Sequence, residues 1–184
     1  CDKSAVGKST LMTNLAVSCC SDNDFLKMDI KTGLRCQIIN LEDNLGHINN
    51  QIAACRHSYN IKEKDLAERL FVNSTSEEAF HLVETNDNST VHETNKLVEL
   101  IAEIKNNKID ILFIDPLVSA HGAEENNNMQ MDGFMIAIKR IATEGNCAVV
   151  LVHHTGKISD PHDQFAGRGA SAFPAKARVV VNMM

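Results

Sequence analysis

The chain has 184 residues, 43% hydrophobic and 23% charged, enough apolar material for one globular domain with a sizeable core. A formal net charge of -6 excludes a global electrostatic footprint for nucleic acid, so any DNA contact must come from a local patch or an oligomer's channel. No apolar run reaches the ~18 residues of a membrane span.

No stretch reads as a secretory leader. The six cysteines form no C-x-x-C pair and read as reduced thiols, packed as small apolar residues of a cytoplasmic protein.

The chain opens "CDKSAVGKST". Gly7-Lys8-Ser9 is the end of a phosphate-binding loop of the form G-x-x-x-x-G-K-[ST], but Asp2 stands where the first glycine belongs. "LMTNLAVS" continues it as a helix from Lys8 to about Ser18. Such a loop places backbone N–H groups at a helix N-terminus, where the helix dipole also favours anions. Ala5, Val6, Gly7, Lys8, Ser9 and Thr10 are therefore the candidate phosphate cradle. Lys8 would reach the β- and γ-phosphates of ATP, and the Ser9 hydroxyl would coordinate Mg²⁺.

Next comes "QIINLED" (37–43), a buried strand, then a helix over 45–57 and a short strand "LFVN" (70–73). A helix over 92–106 has apolar positions at Leu97, Leu100, Ile101 and Ile104. "DILFIDP" (110–116) is an apolar strand ending in Asp115, the form of a Walker B segment whose acid holds the Mg²⁺ shell. As an alternative, it is an ordinary buried strand followed by a turn Asp-Pro. A helix over 131–144, a strand "CAVVLVHH" (147–154) and a closing strand "ARVVVNM" (177–183) complete the set.

Strands alternating with helices, without clean polar alternation, predict an α/β domain with a mostly parallel sheet and helices on both faces. The stretches 121–130 and 155–174 read as long loops. The chain begins where a strand leading into the loop is expected to end, and it stops directly after "ARVVVNMM". We therefore expect a single domain, residues 1–184, that is a fragment lacking its first strand and its C-terminal strands.

Two strand tips carry further candidates. Glu42 ends "IINLED", where a carboxylate can orient and deprotonate an attacking water. Asp43 is its competitor, and as strand neighbours the two would point to opposite faces. His154 ends "AVVLVHH", where it can contact a γ-phosphate, although a histidine at a strand end is also a common structural residue.

"INLEDN", "ILFIDPLVSAHGAEENNN", "VVLVHHTGK" and "RGASAFPAKARVVV" follow one another as in the RepA-type hexameric replicative helicases, RecA-like P-loop ATPases, and the chain resembles that family over nearly its whole length. The resemblance implies Mg²⁺-dependent ATP hydrolysis by the motor of a ring-forming helicase, a homo-hexamer acting on single-stranded DNA in replication. It implies Lys8 and Ser9 on phosphate and metal, Glu42 as catalytic base, Asp115 as the Walker B acid and His154 as a γ-phosphate sensor. Either Arg168 or Arg178 is similar to the arginine that reaches into a neighbouring subunit's site.

The loop between Lys157 and Arg168, which contains His162, occupies the place of channel-facing DNA contacts, or is a solvated loop. His121, Glu125 and Asn126 match the family pattern and either order the rim of the site or cap the helix beginning near Met129.

The entrance departs from the family pattern, since Asp2, Ser4 and Ala5 stand where two glycines and a proline are usual. Two other readings stay open on the sequence. "KSAVGKST" resembles the deviant loop of ParA/MinD-type partition ATPases, with Lys3 as the extra lysine. The lost glycines also suit a non-catalytic or regulatory nucleotide-binding module.

Overall fold

The computed structural model of the chain describes residues 7–74, 79–86, 89–153, 176–181 and 183. Helix α1 (Lys8–Cys20) comes first, followed by β1 (Cys36–Asn40), α2 (Leu45–Tyr59), the single turn α3 (Glu63–Leu66) and β2 (Leu70–Ser74). A hairpin of β3 (Val83–Thr85) and β4 (Val91–Glu93) leads into α4 (Asn95–Asn107). Strand β5 (Ile111–Asp115), a 3₁₀ turn (Leu117–Ala120), α5 (Asn128–Gly145) and β6 (Ala148–Leu151) follow.

The main sheet has the order β2-β1-β5-β6, and every pairing in it is parallel. Side chains alternate across it with the period of two that a strand imposes. Cys36, Ile38 and Phe113 face a core shared with Met12, Ala16 and Val17 of α1, Cys55 of α2 and Leu66 of α3. Ile39, Leu112 and Ile114 face the opposite core, with Leu97, Leu100, Ile101 and Ile104 of α4 and Phe134, Ile138 and Ile141 of α5. Because both faces are covered, the strands can be apolar on both sides. The α/β class with helices on both faces is thus the observed one.

Helix α1 runs antiparallel to the strands it covers. Its last turn lies at their amino ends: the Cys20 thiol donates to the Arg69 carbonyl at 3.3 Å, and the Cys36 amide donates to the same carbonyl at 2.7 Å. The Leu34 amide donates to the Cys19 carbonyl at 2.8 Å. Thirteen residues of helix span about 20 Å, and five residues of strand about 17 Å. The first turn of α1 therefore reaches the carboxyl edge of the sheet.

The structure moves several expected boundaries. Helix α4 begins at Asn95 rather than 92, because His92 belongs to β4, paired with Glu84, and Thr94 is the extended N-cap. Helix α5 begins at Asn128, where the Asn127 side chain accepts from the amides of Met129 (3.1 Å) and Gln130 (3.3 Å). Capping is thus the work of Asn127, not of His121, Glu125 or Asn126.

The closing strand expected over 177–183 is absent among its described residues. Val179 and Val181 are 79% and 76% exposed and pair with no described strand, so this apolar run neither buries its valines nor joins the sheet there. No helix of the described residues is long and apolar enough to cross a membrane.

Candidate functional site

At the head of α1, Gly7 is the N-cap with φ 82°, a left-handed conformation that disfavours any side chain. Its carbonyl accepts the Leu11 amide at 2.8 Å, which closes the first helical turn. Among the described residues no side chain caps this end, and the first turn holds no acidic residue. The amides of a helix's first turn point out of its end rather than along its own ladder, the arrangement that suits a bound phosphate. Lys8 and Ser9 are half-buried and Thr10 is exposed. Ala5 and Val6, with Asp2, Lys3 and Ser4 of the altered entrance, lie outside the described residues.

Three strand tips lie in register along the same edge. Asn40 of β1 is opposite Ser74 of β2 on one side and Asp115 of β5 on the other. Asp115 is 2% exposed, and its carbonyl accepts the Leu41 amide at 2.7 Å. A strand end at the carboxyl edge of an open parallel sheet is where ligands of such folds bind. The Asp115–Pro116 peptide is cis, and the chain then turns into the 3₁₀ segment, where the Leu117 amide donates to the Val152 carbonyl at 2.8 Å.

Strand β1 ends at Asn40, so Glu42 and Asp43 belong to a turn and not to the strand. The expectation that strand parity would send them to opposite faces does not apply. The Asn40 side-chain oxygen accepts both amides, Glu42 at 2.9 Å and Asp43 at 2.7 Å. The Asp43 carbonyl also accepts the Ser74 hydroxyl at 2.8 Å. Glu42 is exposed and Asp43 half-buried, which favours Glu42 as the group open to solvent.

Helix α2 starts directly after this turn, N-capped by Asn44, whose side chain accepts the His47 amide at 2.9 Å. Gln51 then ties α2 to α1. Its Oε1 accepts the Thr13 hydroxyl at 3.2 Å, and its Nε2 lies 2.9 Å from His47 Nε2. The phosphate-loop helix and the helix behind Glu42 therefore share one side-chain chain of contacts. Asn40, Ser74, Thr13 and Gln51 were not singled out from the sequence. An Asn closing an apolar strand just before an acidic pair is the one signal that could have found Asn40.

At the other end of the edge, His153 is half-buried after β6, while His154 lies outside the described residues, as do Lys157, His162 and Arg168. Arg178 is described and exposed. Behind the edge, His121 is 4% exposed and its ring stacks at a tilt on Phe134, with centroids 4.7 Å apart. Burial pushes its pKa down to about 4, against a smaller opposing effect from the Ala123 carbonyl 3.1 Å from Nδ1, so the ring is neutral at pH 7. Nδ1 also lies 3.2 Å from the Ala123 amide. His121 thus holds the start of the loop between β5 and α5 through Ala123 and packs on Phe134.

The donor set fits a hard divalent cation. Ser9 and Asp115 offer oxygen ligands only. Oxygen donors of this kind suit a hard cation such as Mg²⁺, which takes one or two protein oxygens and completes its shell with phosphate and water.

A family model described as AAA domain matches residues 3–160. The matched range contains the phosphate loop, Glu42, Asp115 and His154, and leaves Arg168 and Arg178 outside it. No curated protein matches the chain.

Proposed function

We propose, from the premise that the chain belongs to the AAA-domain family of P-loop ATPases, that it hydrolyses Mg²⁺-ATP as the motor of a ring-forming, RecA-like DNA helicase involved in replication. The observation that carries the reading is the convergence at one sheet edge of the N-terminus of α1, with the left-handed Gly7 at its head, the Glu42 turn and the buried Asp115.

In this mechanism the amides of Ala5 to Thr10 cradle the phosphates, with Gly7 letting the backbone approach closely. Lys8 would balance charge on the β- and γ-phosphates, and Ser9 and Asp115 would hold the Mg²⁺ shell. When bound, Mg²⁺ supplies electrostatic stabilisation of the transferring phosphoryl group. Glu42 orients the attacking water in line and takes its proton. His154 contacts the γ-phosphate and reports its loss to the loop that follows.

Arg168 or Arg178 of a neighbouring copy completes the site, and the exposure of Arg178 supports its availability to a neighbour. In a homo-hexamer this links each turnover to the adjacent subunit and to residues 157–168 facing single-stranded DNA. The helicase part of the reading rests on the sequence resemblance, and the net charge of -6 places the burden of DNA contact on that local segment.

Two substitutions test the chemistry. Lys8→Ala is expected to abolish binding of a labelled ATP analogue, whereas Glu42→Gln keeps binding and loses phosphate release. Unchanged affinity in Lys8→Ala would contradict the phosphate-loop assignment. Full turnover in Glu42→Gln would remove Glu42 as the base.

A further inference from the structure

We infer that Asn40 is the positioning residue for the water-activating carboxylate, its side chain holding the turn that carries Glu42 at a set height above the sheet. The inference rests on the proposed function and names the part of the fold that sets where Glu42 sits. Asn40 ends an otherwise largely apolar strand, Cys-Gln-Ile-Ile-Asn, and is 3% exposed. A polar side chain buried there is costly unless it is hydrogen-bonded.

Its oxygen takes on the two amides that the sheet no longer serves, at 2.9 Å from Glu42 and 2.7 Å from Asp43. This is the local side-chain competition that lets Asn end a strand and start a turn. The neighbouring residues are fixed as well. The Leu41 amide is held by the Asp115 carbonyl at 2.7 Å, and the Asp43 carbonyl by the Ser74 hydroxyl at 2.8 Å.

Every residue from Leu41 to Asp43 is thus pinned through its backbone to β5, to β2 or to Asn40, while the Glu42 side chain stays exposed. Because Leu41 hangs on the Asp115 carbonyl, the base and the metal-side acid share one frame. Asn40 itself lies in the strand and acts through Glu42 rather than on ATP. General-base chemistry is sensitive to such a frame, since a displacement of about 1 Å can cost roughly 100-fold in rate.

The test compares Asn40→Ala, which removes the acceptor, with Asn40→Ser, whose hydroxyl can accept from the same following amides. Both are measured in the full chain beside Glu42→Gln. Asn40→Ala is expected to lower kcat by about 10- to 100-fold, leaving KM and ATP-analogue affinity within about twofold, and Asn40→Ser to regain most of the loss. Amide hydrogen exchange gives a readout independent of activity: the Glu42 and Asp43 amides are protected in the parent and exposed in Asn40→Ala.

Parental kcat in Asn40→Ala overturns the inference. So does a parallel fall of kcat and affinity that Asn40→Ser does not relieve, because that pattern marks a merely structural residue. Should Asn40→Ala not fold, the parent's own amides decide, and fast exchange at Glu42 and Asp43 overturns it. Full turnover in Glu42→Gln removes the base and the inference with it, whereas turnover lost there and intact in Asn40→Ala removes only the positioning role.

Discussion

Lys8, Glu42 and Asp115 are separated by up to 107 positions in the chain (115 minus 8), yet the fold brings their backbones to one edge. Lys8, Ser9 and Asp115 were legible as residue types at strand and helix ends. The turn that presents Glu42 was not, because it depends on where the Asn40 oxygen points, and no spacing rule records that. His121 shows the same limit: its motif was visible, but its burial against Phe134 was not.

That burial has a consequence in pH. The folded pKa of His121 is about 4, against an ordinary 6.5, so the unfolded chain binds the proton first. The stabilisation from burying a neutral ring is present in full above about 6.5 and is lost as pH falls toward about 4. Denaturant midpoints measured from pH 7 to 4 are expected to fall more steeply in the parent than in His121→Phe. Parallel curves would contradict the assignment.

At the scale of elements, α5 carries the hairpin because Gly133 leaves room for it. A Cβ added at Gly133 would stand 2.9 Å from Val91 Cβ, so β4 packs directly against helical backbone. Gly133→Ala is expected to destabilise the chain by about 1–3 kcal/mol through overpacking. Val91→Ala in the same chain should recover part of that, as chemical denaturation of the single and double variants would show. Because Gly→Ala inside a helix gains about 1 kcal/mol, a midpoint raised in Gly133→Ala would mean that the hairpin yields at no cost.

The hairpin also marks what the sequence could not show. Its strands, Val-Glu-Thr and Val-His-Glu, are three residues each and too polar to stand out from loop. Strands β1 and β5 were legible as apolar runs, and α4 by its buried stripe at Leu97, Leu100, Ile101 and Ile104. The run "ARVVVNM" has the same apolar look as β1 and β5, but a strand needs a neighbour to pair with, and its valines are exposed.

At the scale of the whole molecule, the proposed mechanism needs more than one copy of the chain. A site completed by a neighbour's arginine makes turnover a property of the assembly, since such an arginine contributes about 10³–10⁵ in rate where it acts on GTPases. Arg168→Ala or Arg178→Ala is expected to lower turnover without affecting nucleotide binding. Mixing that variant with Glu42→Gln subunits should restore part of the activity, because each copy supplies what the other lacks. If neither arginine variant loses turnover, the shared site is wrong for this chain.

The most direct measurement is Mg²⁺-dependent ATP hydrolysis over a range of protein concentration, with and without single-stranded DNA. Specific activity is expected to rise steeply with concentration and to increase further with DNA. ATP binding without turnover at every concentration, in the presence of both Mg²⁺ and DNA, would contradict the proposed mechanism and mark the chain as a non-catalytic nucleotide-binding module.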